Sequence, residues 1–173
     1  FPAYLRFDGV DDALETGTID FTGTDKMTVW AGITRITQTA SESICELSTT
    51  VTNNSMFALG LSHGDSSAFI SRGVGGGYPN AYAPLSHAPV SAIIGGAGAI
   101  NDLISTARSN GVSVNSNEAQ GTGNYGNYPL YIGGRGGISS FFNGRLYSLI
   151  VRGAQTPLSQ IEVTEAYIKQ KMR

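Results

Sequence analysis

Apolar and polar residues alternate with a period of two through much of this chain. Residues 27–36, MTVWAGITRI, show it best: Met27, Val29, Ala31, Ile33 and Arg35 fall on one face, Thr28, Trp30, Gly32, Thr34 and Ile36 on the other. β-Branched residues and Trp30 in such a pattern predict a strand. Shorter apolar runs at 44–45, 56–61, 67–71 and 130–133 read the same way, and MFALGL with SAFIS reads as a hairpin around SHGD. Asn110-Gly111 predicts a second hairpin with a two-residue turn. Asn143-Gly144 predicts a third, with Gly144 at the turn and apolar residues on both faces of its second arm: Tyr147, Leu149 and Val151 against Leu146 and Ile150. A strand apolar on both sides is covered on both sides.

The cover is predicted by the last residues. Pro157 suits a first helical turn, Ser159 and Glu162 match a capping box, and Leu158, Ile161, Ile168 and Met172 form one helical stripe. Glu165 falls inside that stripe, where a charge needs a partner, and Arg145 or Arg152 is expected to supply it. Many strands, turns between them and one terminal helix define an all-β fold: an antiparallel two-sheet sandwich with the helix packed outside. Residues 73–89 and 117–129 read as loops.

Composition supports this picture. Gly accounts for 23 of 173 residues, and charged residues for only 14%. Gly disfavours helices and serves turns and bulges. The length suits one domain spanning residues 1–173. A formal net charge of −2 with no basic stripe argues against nucleic acid. Lys169, Lys171 and Arg173 suit the negative end of a helix dipole. The most apolar stretch, residues 89–100, is too short and Gly-rich to span a bilayer, so no membrane insertion is expected. A single cysteine, Cys45, excludes an intrachain disulfide and fits folding in a reducing cytosol. The chain opens at Phe1 without a signal-peptide pattern, and is read as the C-terminal part of a longer protein.

YLRFDGVDDAL, MTVWAGI and PLYIGGR followed by FFNGRLYSLIVRG and LSQIEVTEAYIKQK occur in this order. Together they resemble laminin G-like domains of the concanavalin A-like lectin/glucanase superfamily. The likeness covers both ends of the chain; residues 40–115 share only the strand rhythm. The resemblance implies a jelly-roll sandwich, and is strongest to versions in bacteriophage virion proteins. Those sit on tail fibres or decorate particles. It therefore implies a non-catalytic, lectin-like module at a virion surface, binding host cell-surface polysaccharide. The alternative is a decoration or assembly domain that contacts other virion proteins. In either case the parent assembly is expected to be a homo-oligomer.

Catalysis finds little support in the residues. Glu42 and Glu46 are four apart and about 13 Å distant by strand rise, against the ~5 Å of a retaining glycosidase. Cys45 lies in an apolar strand, with nothing to set His63 or His87 against its thiol. The clusters GVGGG, IIGGAGA and IGGRGG lack the context of phosphate cradles and suit bulges or close packing. Ca²⁺ is the candidate cofactor, with Asp8, Asp11, Asp12, Asp65 and Asp102 as candidate ligands. The candidate glycan-binding residues lie in the two predicted loops: Tyr78, Asn80, Tyr82, Asn124, Tyr125, Asn127 and Tyr128. Aromatic rings stack on sugar C–H groups, and Asn amides both donate to and accept from hydroxyls. Such residues also make turns and close core edges.

Overall fold

A computed structural model describes residues 2–49 and 53–173. In chain order the strands are β1 (Leu5–Asp8), β2 (Leu14–Asp20), β3 (Lys26–Arg35), β4 (Glu42–Leu47), β5 (Met56–Leu61) and β6 (Ser66–Arg72). They continue with β7 (Asn80–Pro84), β8 (Val90–Ala99), β9 (Ser105–Ser109), β10 (Val112–Ser116), β11 (Asn127–Ile132) and β12 (Asn143–Arg152). The helix α1 (Leu158–Lys171) ends the fold. The strands form two antiparallel six-stranded sheets, ordered β1-β12-β3-β8-β9-β10 and β2-β11-β4-β5-β6-β7. The expected two-sheet sandwich is the fold observed.

The alternation in β3 shows why. Met27, Val29, Ala31 and Ile33 enter the core between the sheets, meeting Ile44, Leu47, Phe57, Leu59 and Phe69 of the other sheet. Each large aliphatic or aromatic side chain buried there contributes roughly 1.5–3 kcal/mol. The glycines of β8 let the sheets approach: a Cβ on Gly96 would overlap the Phe69 ring. Trp30 points the other way, into a smaller cluster with Ile161 and Ile168 of α1. A Cβ on Gly32 would stand 2.6 Å from Ile168 Cγ2, so the helix lies directly on β3.

Several local expectations change. The 56–61/66–72 hairpin forms as predicted, and Asn110 and Gly111 take positive φ values of 47° and 86° at the predicted turn. Gly144 is not a turn residue. It sits inside β12, where a Cβ would collide with the Thr34 carbonyl and the Phe142 ring. The chain reverses earlier, through Gly133, Gly136 and Gly137, all at positive φ. A bulge at Tyr147 reverses the facing of β12, so Leu146 joins Leu149 and Val151 on the core side. β7 lies within the expected loop 73–89; its outward Tyr82 and inward Ala81 and Ala83 alternate, but small alanines hide the pattern. β11 begins at Asn127, inside the second expected loop. The helix starts after Pro157 without a side-chain cap, so Ser159 and Glu162 form no capping box, and Leu158 is exposed.

Glu165 is largely buried and paired, but not with Arg145 or Arg152. Its carboxylate accepts from Arg108 Nε at 2.7 Å and Nη2 at 3.1 Å. The sheet order explains the partner: β8 and β9 follow β3, so a helix lying across β12, β3 and β8 reaches β9. Arg152 instead donates to Thr156 Oγ1, and Arg145 stacks over the Tyr4 ring.

Candidate functional site

The outer face of the second sheet carries a groove built by register. One row across the strands runs Tyr131, Glu46, Ala58, Ile70, Asn80. A parallel row runs Ser43, Gly60, Ala68, Tyr82. Small residues in the middle strands form a low floor, and β7 supplies Asn80 and Tyr82 at one end. The groove holds about 150 Å³ and is lined in addition by Arg135 and Ser140 from the β11–β12 connection. That is below the ~300–1,000 Å³ of pockets that engulf a small molecule, so this groove suits a flat ligand held from one side. Tyr82 is 48% exposed, leaving a ring face open to solvent.

Glu46 lies beneath the groove, 1% exposed. Its Oε1 accepts from Ser48 Oγ, and its Oε2 stands 3.2 Å from Arg135 Nε. Burial pushes the Glu46 carboxyl above its usual range, against the opposing pull of Ser48 and Arg135. Glu42 is also raised by burial, against the Arg35 guanidinium, whose Nε donates at 2.6 Å. Each carboxylate is paired with an arginine, Glu42 with the buried Arg35 and Glu46 with the partly exposed Arg135. Burial likewise pushes the Cys45 thiol up to about 12, far from a nucleophile.

The structure sorts the seven Tyr and Asn candidates. Asn80 and Tyr82 line the groove. Tyr78 is exposed beside them, its hydroxyl 2.6 Å from Arg72 Nη1 and its ring under the same guanidinium. Asn80 Nδ2 donates to the Tyr78 carbonyl, which ties the two positions together. Tyr125 is a correction: it is buried, edge-on to Phe57, with its hydroxyl 2.6 Å from Ser71 Oγ. Asn124 is spent on the Thr22 carbonyl, Tyr128 packs on the core, and Asn127 is exposed where β11 begins. The two loops are zipped together by paired backbone hydrogen bonds between Val74 and Thr122. Sequence reasoning missed Glu46 and Arg135 as parts of a site. The usable signal was the small outward residues Ala58, Gly60 and Ala68, which leave space on a strand face.

Of the acidic candidates, Asp8, Asp11 and Asp12 offer carboxylate oxygens that all lie within 4.8 Å of one another, and all three are exposed. Asp8 Oδ1 accepts from Val10 N and Asp12 Oδ2 from Asp8 N, so the same oxygens close the β1–β2 turn. Oxygen-only ligands suit Ca²⁺, but three carboxylates give only part of the six to eight oxygens it takes. Asp65 belongs to another turn, bonded to Gln38 and His87, and Asp102 to a third, accepting from Leu103 N.

No family model matches the chain. No curated protein matches it either. Solved structures do match in fold. The native heptameric SAP-like pentraxin of Limulus polyphemus superposes with a TM-score of 0.70 at 13% identity, over 92% of this chain and 80% of that one. The CBM40 of Ruminococcus gnavus IT-sialidase, solved with α2,3-sialyllactose, gives 0.64 at 12% identity, over 88% and 98%. Domains LG4-5 of the mouse laminin α1 chain give 0.59 at 16%, over 91% and 45%. These likenesses show the fold: a two-sheet jelly-roll sandwich, as in pentraxin, CBM40 and laminin G domains.

Proposed function

We propose that this chain is a non-catalytic glycan-binding module that takes sugar in the groove across β4, β5, β6 and β7. The observation that carries this reading is the floor of Ala58, Gly60 and Ala68 ending at the open Tyr82 ring and the Asn80 amide. A sugar lying on that floor would set its C–H face against Tyr82 and its hydroxyls against Asn80 and Arg135. The CBM40 fold neighbour, solved with a sialylated sugar, supports a ligand of this class. Hydrolysis would need two carboxyls facing one glycosidic bond. Glu42 and Glu46 face Arg35 and Arg135 instead.

We further propose, on the resemblance of the terminal motifs, that the module acts at the surface of a bacteriophage virion on host polysaccharide. A structural decoration role draws on a different feature, the edge strand β10, which exposes Val112 and Val114. A glycan array with bacterial surface polysaccharides, displayed against a multimerised chain, tests the reading. Binding that falls about five- to ten-fold or more in Tyr82→Ala supports the groove, since one stacked ring contributes about 1 kcal/mol and more with its buried area. Binding unchanged by Tyr82→Ala refutes it, and absence of all binding favours the decoration role. Repeating the array with EDTA separates a Ca²⁺-dependent contribution from the groove itself.

A further inference from the structure

The opposite sheet also has an open half. Helix α1 covers Trp30, Gly32, Ile93 and Ile150 on the outside of that sheet. Further along the same face the strands carry Arg6, Arg145, Thr34 and Ser91 as a row of direct cross-strand neighbours. Arg6 and Arg145 thus stand opposite each other, an arrangement that like charges disfavour. Among the described residues no carboxylate forms an ion pair with either one. In a chain of net charge −2 the two guanidiniums form a local concentration of positive charge, bordered on one side by the carboxylates of the β1–β2 turn, which begin two residues along the strand at Asp8.

The surroundings are organised. The Arg145 guanidinium lies 4.8 Å from the centre of the Tyr4 ring. Tyr4 meets Tyr147 edge-on at 5.6 Å. The Tyr147 hydroxyl is 3.2 Å from Thr34 Oγ1, which is 2.6 Å from Ser91 Oγ. Arg6 Nη1 donates to the Phe7 and Gly144 carbonyls and to the Asn143 side chain. Tyr147 lies on this side as the next-but-one residue after Arg145, and the bulge that follows Leu146 turns Leu149 and Val151 to the core instead. The result is a stacked guanidinium, two half-open aromatic rings and a line of three hydroxyls on one exposed surface.

We propose that this surface is a second binding site, for an anionic sugar chain. The acid group, carboxylate or sulfate, pairs with Arg145, whose planar fork such groups favour, and the charge of Arg6 adds to the attraction. The sugar ring lies against Tyr4, and its hydroxyls exchange hydrogen bonds with Tyr147, Thr34 and Ser91. The site does not depend on the groove of the other sheet, from which the sandwich core separates it.

The test is an amide-resolved NMR titration of the full chain in the Tyr82→Ala background, which disables the groove. The probes are oligogalacturonate, a sulfated oligosaccharide and a neutral malto-oligosaccharide, with an acidic peptide as a further arm. Either anionic sugar should shift the amides of Tyr4, Arg6, Arg145 and Tyr147, and the tighter of the two identifies the acid group. Arg145→Gln should weaken that binding roughly five-fold, as loss of an exposed charged contact does. Arg145→Lys should fall between, keeping charge and losing the fork. Raising the salt concentration should weaken binding further. Equal response to the neutral sugar, an unchanged affinity in Arg145→Gln, shifts confined elsewhere, or response to the peptide alone would each overturn the proposal. Thermal unfolding of each variant confirms that the chain remains folded.

Discussion

Glu46 is a carboxylate with almost no access to water, and its partners compensate its burial incompletely. Its carboxyl therefore holds a proton more readily in the folded chain than in the unfolded one. For a group raised in this way, stability is full below the unfolded value, 4.5, and is lost as pH rises through the folded value. The chain should accordingly gain stability as pH falls from neutrality toward 4.5, with Glu42 contributing in the same direction. Asp8, Asp20, Asp25 and Asp65 work oppositely: hydrogen bonds hold them below 3.8, so their loss enters only in more acid solution. Glu46→Gln removes the buried charge and keeps an acceptor for Ser48. At pH 7 it should unfold at the same temperature as the wild type or higher by roughly 2–4 °C, the shift that 1 kcal/mol gives a chain of this size. Its gain on acidification should be the smaller of the two. Calorimetric scans of both proteins at several pH values check this, and a Glu46→Gln protein that melts well below wild type at pH 7 contradicts it.

Among the elements, α1 is held by a narrow set of contacts. Ile161 and Ile168 bury against Trp30, and Glu165 grips Arg108 through two hydrogen bonds. With side chains only 6% and 12% exposed, removing one partner leaves the other charged and short of water. Glu165→Ala should therefore cost about 3 kcal/mol, while Arg108→Met with Glu165→Leu should recover most of it. Urea unfolding of the single and double variants measures both, and amide exchange within α1 locates the loss. This pair also marks where sequence reading ends. The alternation in β3, the Asn110-Gly111 turn and the spacing of Ile161 and Ile168 are local patterns, and local patterns were legible. Glu165 in a stripe announced that it needed a partner, but which arginine answered depends on the order of strands. The same limit hid the groove, because Glu46, Ala58, Ile70 and Asn80 become neighbours only through the register of four strands. Two features escaped for other reasons. The bulge at Tyr147 breaks the period of two with one extra residue, and β7 alternates tyrosine with alanines too small to signal a buried face.

The whole molecule joins these scales by placing its two open surfaces back to back. The groove lies outside the second sheet, the Tyr4–Arg145 surface outside the first, and a single core of interlocked side chains separates them. Because α1 covers only part of the first sheet, neither surface hides the other. Two binding sites so placed would have a consequence that one site lacks. If both proposed sites bind, a single chain joins two polysaccharide strands, and linking several such chains raises the effective concentration of every further contact. With a long acidic polysaccharide that binds the groove as well, the chain should form crosslinked aggregates seen by light scattering, largest near equal numbers of chains and binding segments and dispersing in excess of either. Tyr82→Ala and Arg145→Gln should each reduce the scattering while leaving binding through the intact face unchanged, and the double variant should reduce it most. A mixture of the two single variants should not restore it, since each chain then has one weakened face. Scattering unchanged by either substitution would show that one surface alone, or self-association through the exposed β10 edge, does the joining.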